Sequence, residues 1–185
     1  MQSTTIGRQR VWFEQSEEFH ILKREIFSQH VYYVELGGEE DGESEGLQAG
    51  APVIIDAGAH IGLATISFLL HWPQAKIWAI EPLPEHVAIL KKNCAEFGQP
   101  DVTIIKGALT AVGDEAMLHL DSSPNRWWST GSLTPGAWNA QQQTAPRRVA
   151  ALQLSTLLRD IGTPIDLLKM DIEGNELEVL REARD

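Results

Sequence analysis

The chain has 185 residues, 43% of them hydrophobic and 22% charged, which suits one globular domain with a single core and an added N-terminal piece. A formal net charge of -11 repels phosphate backbones and anionic lipid, so nucleic acid and membrane surfaces are disfavoured partners. The apolar runs fall far short of the roughly 20 residues of a membrane span, the N-terminus lacks a signal peptide's apolar core, and Cys94 is the only cysteine, so a reducing, cytoplasmic setting is expected.

An extension over residues 1–50 is expected to precede a main unit over 51–185. Residues 8 to 34 read as partly helical, because Phe13, Phe19, Leu22, Ile26 and Phe27 fall near 3.6-residue spacing. HVYYVEL, residues 30–36, reads as a strand rich in β-branched and aromatic residues. GGEEDGESEG, residues 37–46, reads as a solvated acidic loop without the ligand spacing of a calcium loop. From there strands and helices alternate. APVIIDAG is a strand, IGLATISFLLHW a helix closed by Pro73, and KIWAIEP a second strand. Pro84 opens a helix with Val87, Leu90, Cys94 and Phe97 on one stripe, ended by Gly98. That stripe makes Cys94 a core residue. DVTIIKGAL, residues 101–109, is a third strand. Two further strands, EAMLHL with a structural His119 and RRVAALQL, enclose a long loop carrying three of the six tryptophans. PIDLLKMDIEG, residues 164–174, is a fourth core strand, and NELEVLREAR a helix after it. Continuous apolar strands alternating with helices imply an α/β fold with a mostly parallel sheet covered on both faces.

Ligands in such sheets bind beyond the carboxyl ends of the strands. The first strand ends there in DAGAHIG, whose glycines let backbone N–H groups approach a ligand. Its G-x-x-x-G spacing, with His60 where a middle glycine would stand, departs from the G-x-G-x-x-G of a dinucleotide cradle. Asp56 precedes the turn, where it would repel a diphosphate and suit an ammonium or sulfonium group. Glu81 ends the second strand, where an acid accepts hydrogen bonds from ribose hydroxyls. Together they fit S-adenosylmethionine.

VIIDAGAHIGLATIS, IWAIEPLPEHVAILKKN and above all IDLLKMDIEGNELEVL resemble the FkbM family of S-adenosylmethionine-dependent O-methyltransferases. The most distinctive string is K-x-D-x-E-G-x-E, formed by Lys169, Asp171, Glu173, Gly174 and Glu176. The resemblance covers residues 20 to 185. It implies a Rossmann-like class I methyltransferase sheet and methyl transfer to the hydroxyl of a small molecule, sugar or natural-product intermediate. KREIFSQHVYYVEL is also similar to members acting beside biosynthetic assembly lines.

Asp56, Gly58, His60 and Gly62 are then expected to form the cofactor turn. His60 either contacts the cofactor's carboxylate or caps the next helix. Glu81 is the ribose ligand, Leu83 the adenine floor, and Gly107, Ala108 and Leu109 the adenine edge, where backbone groups replace an absent acid. Lys169, Asp171 and Glu173 are the catalytic candidates. Strand alternation places them on one face, with Asp171 or Glu173 as base and Lys169 holding them ionised. Orienting a histidine, binding a divalent cation, or serving as a buried ion cluster stay open for them, and no metal site is assigned. Trp127, Trp128 and Ser129 are expected to meet the acceptor, with Trp138, Asn125 and Ser132 nearby; anchoring of the loop is the tryptophans' alternative role.

The pattern stops after the helix following the fourth core strand, so a truncated sheet is expected, with an exposed edge that invites a homodimer. The rival readings are a nicotinamide-dependent oxidoreductase and a catalytically degenerate cofactor-binding subunit.

Overall fold

The computed structural model describes residues 1–34, 51–98, 101–120, 131–134 and 146–184. Strands β1 (Gln2–Ile6) and β2 (Gln9–Phe13) open the chain as an antiparallel hairpin, followed by α1 (Ser16–Phe27). Next come β3 (Val53–Ala57), α2 (Leu63–His71), β4 (Lys76–Glu81), α3 (Pro84–Ala95) and β5 (Val102–Lys106). The remainder runs β6 (Ala108–Leu109), β7 (Glu115–Leu120), β8 (Gly131–Ser132), β9 (Arg147–Leu152), α4 (Leu154–Ile161), β10 (Leu167–Met170) and α5 (Glu176–Glu182).

The central sheet is parallel, in the order β10-β3-β4-β5. Its strands are largely apolar because both faces are covered. Ile54 and Ile77 pack on Ala64, Phe68 and Leu69 of α2, and Ala79 meets Leu90 and Cys94 of α3. The alternate residues Ile55, Ala57 and Ile80 face Leu154 and Leu157 of α4 and Val179 of α5. Chain order reverses at β3, which has β4 on one side and β10 on the other. A crevice opens at such a switch point.

A second sheet, β6-β9-β7-β8, holds the insert. β7 and β9 pair antiparallel. The third strand is shorter than expected. It stops at Lys106, and Ala108 and Leu109 leave the central sheet to pair with Ala151 and Leu152. Gly107 permits the change, because a Cβ there would press on the Ala150 carbonyl oxygen at 3.2 Å.

The N-terminal region departs most from expectation. Phe13 belongs to β2, and its apparent helical phase with Phe19 is a tertiary contact, the rings stacking at 4.0 Å. Residues 30–34 form no strand. His30 sits at φ 55° and its carbonyl accepts the Tyr33 N–H, closing a turn. Strand propensity finds no neighbouring ladder there. Residues 35–36 and the acidic loop lie outside the described residues. Hairpin and α1 dock through Ile6, Val11, Phe13, Phe19 and Ile26 onto Ile61, Leu63, Ile66 and Ile89. Asn93, fully buried, clamps the join: it accepts from Trp12 N and donates to the carbonyls of Trp12 and Ile61.

Helix α4 was not anticipated, although Leu154, Leu157, Leu158 and Ile161 keep helical spacing and Gly162 (φ 67°) closes it. The fourth core strand is confined to Leu167–Met170, because Glu173 and Gly174 take positive φ and turn the chain.

Candidate functional site

A cavity of about 450 Å³ opens at the carboxyl ends of β3, β4 and β10, within the size range of small-molecule sites. Its wall combines Gly58, Ala59 and His60 after β3, Glu81 and Leu83 at β4, Gly107 to Leu109, and Lys169, Asp171 and Glu173 after β10. Leu22, Glu25 and Ile26 of α1, together with Tyr32, complete it.

Three residues of the turn have positive φ: Gly58 (74°), His60 (52°) and Gly62 (91°). Glycine at 58 is a steric requirement. A Cβ there would lie 1.9 Å from the Asp171 carbonyl oxygen, so the turn and the end of β10 touch backbone to backbone. Gly62 faces Leu90 of α3, where a Cβ would meet Cδ1 at 2.5 Å, and it is not part of the cavity wall.

Asp56 is fully buried under the turn and does not line the cavity. Thr65 Oγ1 donates to its Oδ2 at 2.6 Å, and the Lys169 ammonium lies 3.0 Å from Oδ1. That second contact is one of charge, poorly directed for a hydrogen bond; Lys169 aims its donors at the carbonyls of Ala57 (3.2 Å) and Gly58 (2.8 Å). Register explains the meeting, since Lys169 and Asp56 are partners across the β10–β3 ladder. Asp56 lies beneath the turn and off the cavity wall. One expectation changes: Lys169 is paired with Asp56 rather than with Asp171 and Glu173.

Glu81 does face the cavity while only 5% exposed. Its Oε2 accepts the His60 N–H (2.9 Å), and Oε1 accepts the Leu83 N–H (2.9 Å) with His86 Nδ1 at 3.2 Å. The His60 and His86 rings meet edge to face at 4.2 Å, and His60 Nε2 lies 3.6 Å from Glu18 Oε1. Burial, then the neighbouring charges of His86 and Lys169, hold His60 well below its ordinary 6.5. The imidazole is therefore neutral near pH 7, and its contact with Glu18 is that of a dipole with a carboxylate.

Asp171 and Glu173 stand beyond the end of β10, so a turn rather than strand alternation brings them to the wall. Asp171 N donates to the Ala57 carbonyl, and Asp171 Oδ2 accepts from the Tyr32 hydroxyl at 2.8 Å. Burial first, then the charge and hydrogen bond of Asp171, push Tyr32 far above its ordinary 10. Glu176 has a structural place, accepting from the N–H groups of Ile172 and Gly174. Burial opposes its ionisation, but the backbone N–H bonds from Glu176 itself, Ile172, Gly174 and Glu173 outweigh it and hold the carboxyl below 4.5. Ser132 is buried and occupied, donating to the Glu173 carbonyl and accepting from Thr134 N, so it is not a cavity contact. Trp127, Trp128, Ser129, Trp138 and Asn125 lie outside the described residues. The sequence reading missed Tyr32, Glu25 and His86; Tyr32 and Glu25 come from a segment whose placement only docking of the N-terminal hairpin reveals.

The family model described as the methyltransferase FkbM domain matches residues 56–185. The chain is 30% identical over 192 residues to methyltransferase sdnD of Sordaria araneosa, an alignment covering 89% of this chain and 68% of that protein. It is 27% identical over 142 residues to Methyltransferase 1 of Beauveria bassiana (strain ARSEF 2860), covering 69% of this chain and 57% of that one.

Proposed function

The chain belongs to the FkbM methyltransferase family, and we propose that it moves the methyl group of S-adenosylmethionine onto a hydroxyl of a small molecule, sugar or natural-product intermediate. Glu81 carries the reading. It is a buried carboxylate at the end of the strand beside the switch point, fixed by two backbone N–H groups and turned to the cavity. A buried charge is retained only where something compensates it, and ribose hydroxyls supply further donors.

The remaining wall fits the same cofactor. Oε2 of Glu81 keeps acceptor capacity beyond the His60 bond. Leu83 and Leu109 offer apolar cover for a base, and Gly58 and Ala59 line the cavity with their N–H groups already donating to the Ile80 carbonyl, so an amino-acid end would pack beside that backbone. Glu25, Asp171 and Glu173 give the wall a negative field suited to a cation. When bound, S-adenosylmethionine supplies a methyl carbon whose sulfur departs with the bonding electrons.

The chain's own work is to align the acceptor oxygen and take its proton. Asp171 is the proposed base. Its Oδ2 is engaged by Tyr32, and Oδ1 accepts no hydrogen bond from the described residues. Glu173 shares the wall, and Lys169 keeps Asp56 neutralised beneath the turn. Trp127, Trp128 and Ser129 are proposed acceptor contacts. The test is transfer of labelled methyl from S-adenosylmethionine to a panel of sugars, phenols and aliphatic alcohols. Label is expected in at least one hydroxyl class and absent with Asp171→Asn. Label in none overturns the reading.

A further inference from the structure

We infer that Tyr32 is a positioning residue: its hydroxyl holds one oxygen of Asp171 so that the other meets the acceptor. The inference deepens the methyl-transfer reading and rests on it. Tyr32 lies outside the matched residues 56–185, on the segment following α1.

The two partners are unequally fixed. The Asp171 side chain is exposed, beyond the last residue of β10, and among the described residues only Tyr32 hydrogen-bonds to it. Tyr32 is anchored. Its ring packs against two core clusters at once, one shared by the hairpin, α1 and α2, the other lying between α2 and the central sheet. The turn at His30 sets its approach, and the Lys169 ammonium stands 5.4 Å from the ring centroid. The anchored group therefore determines where the exposed carboxylate points.

Its protonation state matches this role. The groups facing the hydroxyl are Asp171, Asp56 and Glu25, with Lys169 at the ring face. Burial and the three carboxylates keep the proton on Tyr32, so it donates and does not compete as base. In the proposed step the acceptor O–H proton passes to Asp171 Oδ1. The oxygen's lone pair forms the O–CH3 bond, sulfur retains the electrons of the broken bond, and Tyr32 keeps its hydrogen bond to Oδ2.

The chain has two tyrosines, so 3-fluorotyrosine labelling with Tyr33→Phe leaves one fluorine, at position 32. Recorded with S-adenosylhomocysteine present, that fluorine resonance is expected to stay flat across the pH range in which free 3-fluorotyrosine titrates. Asp171→Asn is expected to shift the Tyr32 resonance and bring its titration down. In methyl transfer, Tyr32→Phe should lower kcat by about tenfold to a hundredfold, leave KM for S-adenosylmethionine within about twofold, and move the acid limb of the pH profile. A Tyr32 resonance indifferent to Asp171→Asn, or an unchanged kcat, overturns the inference; the fluorine arm keeps Tyr32 in place and so decides even if Tyr32→Phe folds poorly. Absence of S-adenosylhomocysteine binding to the wild-type chain overturns instead the reading beneath it.

Discussion

Replacing Lys169 with methionine tests the foundation of the turn. The ammonium lies 3.0 Å from a fully buried carboxylate. At an effective dielectric of about 20, unit charges at that distance attract by about 5–6 kcal/mol before desolvation is subtracted. Removing one partner of a buried pair costs about 3–5 kcal/mol, chiefly because the other charge is stranded. The carbonyls of Ala57 and Gly58 lose a donor in the same substitution. For a chain of this size, that loss lowers Tm by roughly 6–20 °C at about 2–4 °C per kcal/mol. Calorimetry and urea denaturation of Lys169→Met, Asp56→Asn and the double variant form the cycle. The double variant should recover at least about 2 kcal/mol relative to the sum of the singles. A Lys169→Met protein that melts like wild type yet transfers no methyl would refute this reasoning, because Lys169 would then act at the chemistry and not beneath it.

Gly58→Ala should be severe: the new Cβ would meet the Asp171 carbonyl oxygen at 1.9 Å, on a backbone at φ +74°. The left-handed conformation alone costs about 1–2 kcal/mol. Relief of the clash displaces the end of β10 by about 1 Å, enough to cost about a hundredfold in rate; thermal melting and single-turnover assay read both, and a neutral substitution would contradict the close approach. His60 gives a pH dependence. Its folded pKa lies below the unfolded 6.5, so below pH 6.5 the unfolded chain binds a proton that the folded one refuses. Stability therefore falls as pH drops from 6.5, by at most about 1.4 kcal/mol per pH unit from this group. The difference in unfolding free energy between wild type and His60→Asn, measured from pH 7.5 to 5, should shrink or invert towards pH 5. A constant difference would mean that His60 protonates freely in the fold.

Much of the main sheet was legible because buried parallel strands leave an unmistakable signature. VIIDA, KIWAIE and VTIIK are apolar runs ending in turn residues, and each is a strand. Glu81 was legible for the same reason, as an acid where an apolar strand stops. Contacts across the ladder were not. The meeting of Lys169 with Asp56 depends on the register of β10 against β3, and spacing along the chain suggested instead that Lys169 serves the acids two and four residues on. The N-terminal segment misled more deeply. Phe13 and Phe19 satisfy a helical period by stacking across a strand–helix corner. HVYY has strand propensity, but its turn exists to bring Tyr32 to the cavity. Tertiary packing overrides local preference there, and no single-chain pattern encodes it.

Titration calorimetry with S-adenosylhomocysteine on wild type and Glu81→Gln tests the central claim most directly, with NAD as the competing ligand. One nucleoside should bind per chain, with Glu81→Gln weakening it by about ten- to a hundredfold through loss of charge-assisted hydrogen bonds, and NAD should give no heat. Binding unaffected by Glu81→Gln, or binding of NAD in place of the nucleoside, would contradict it.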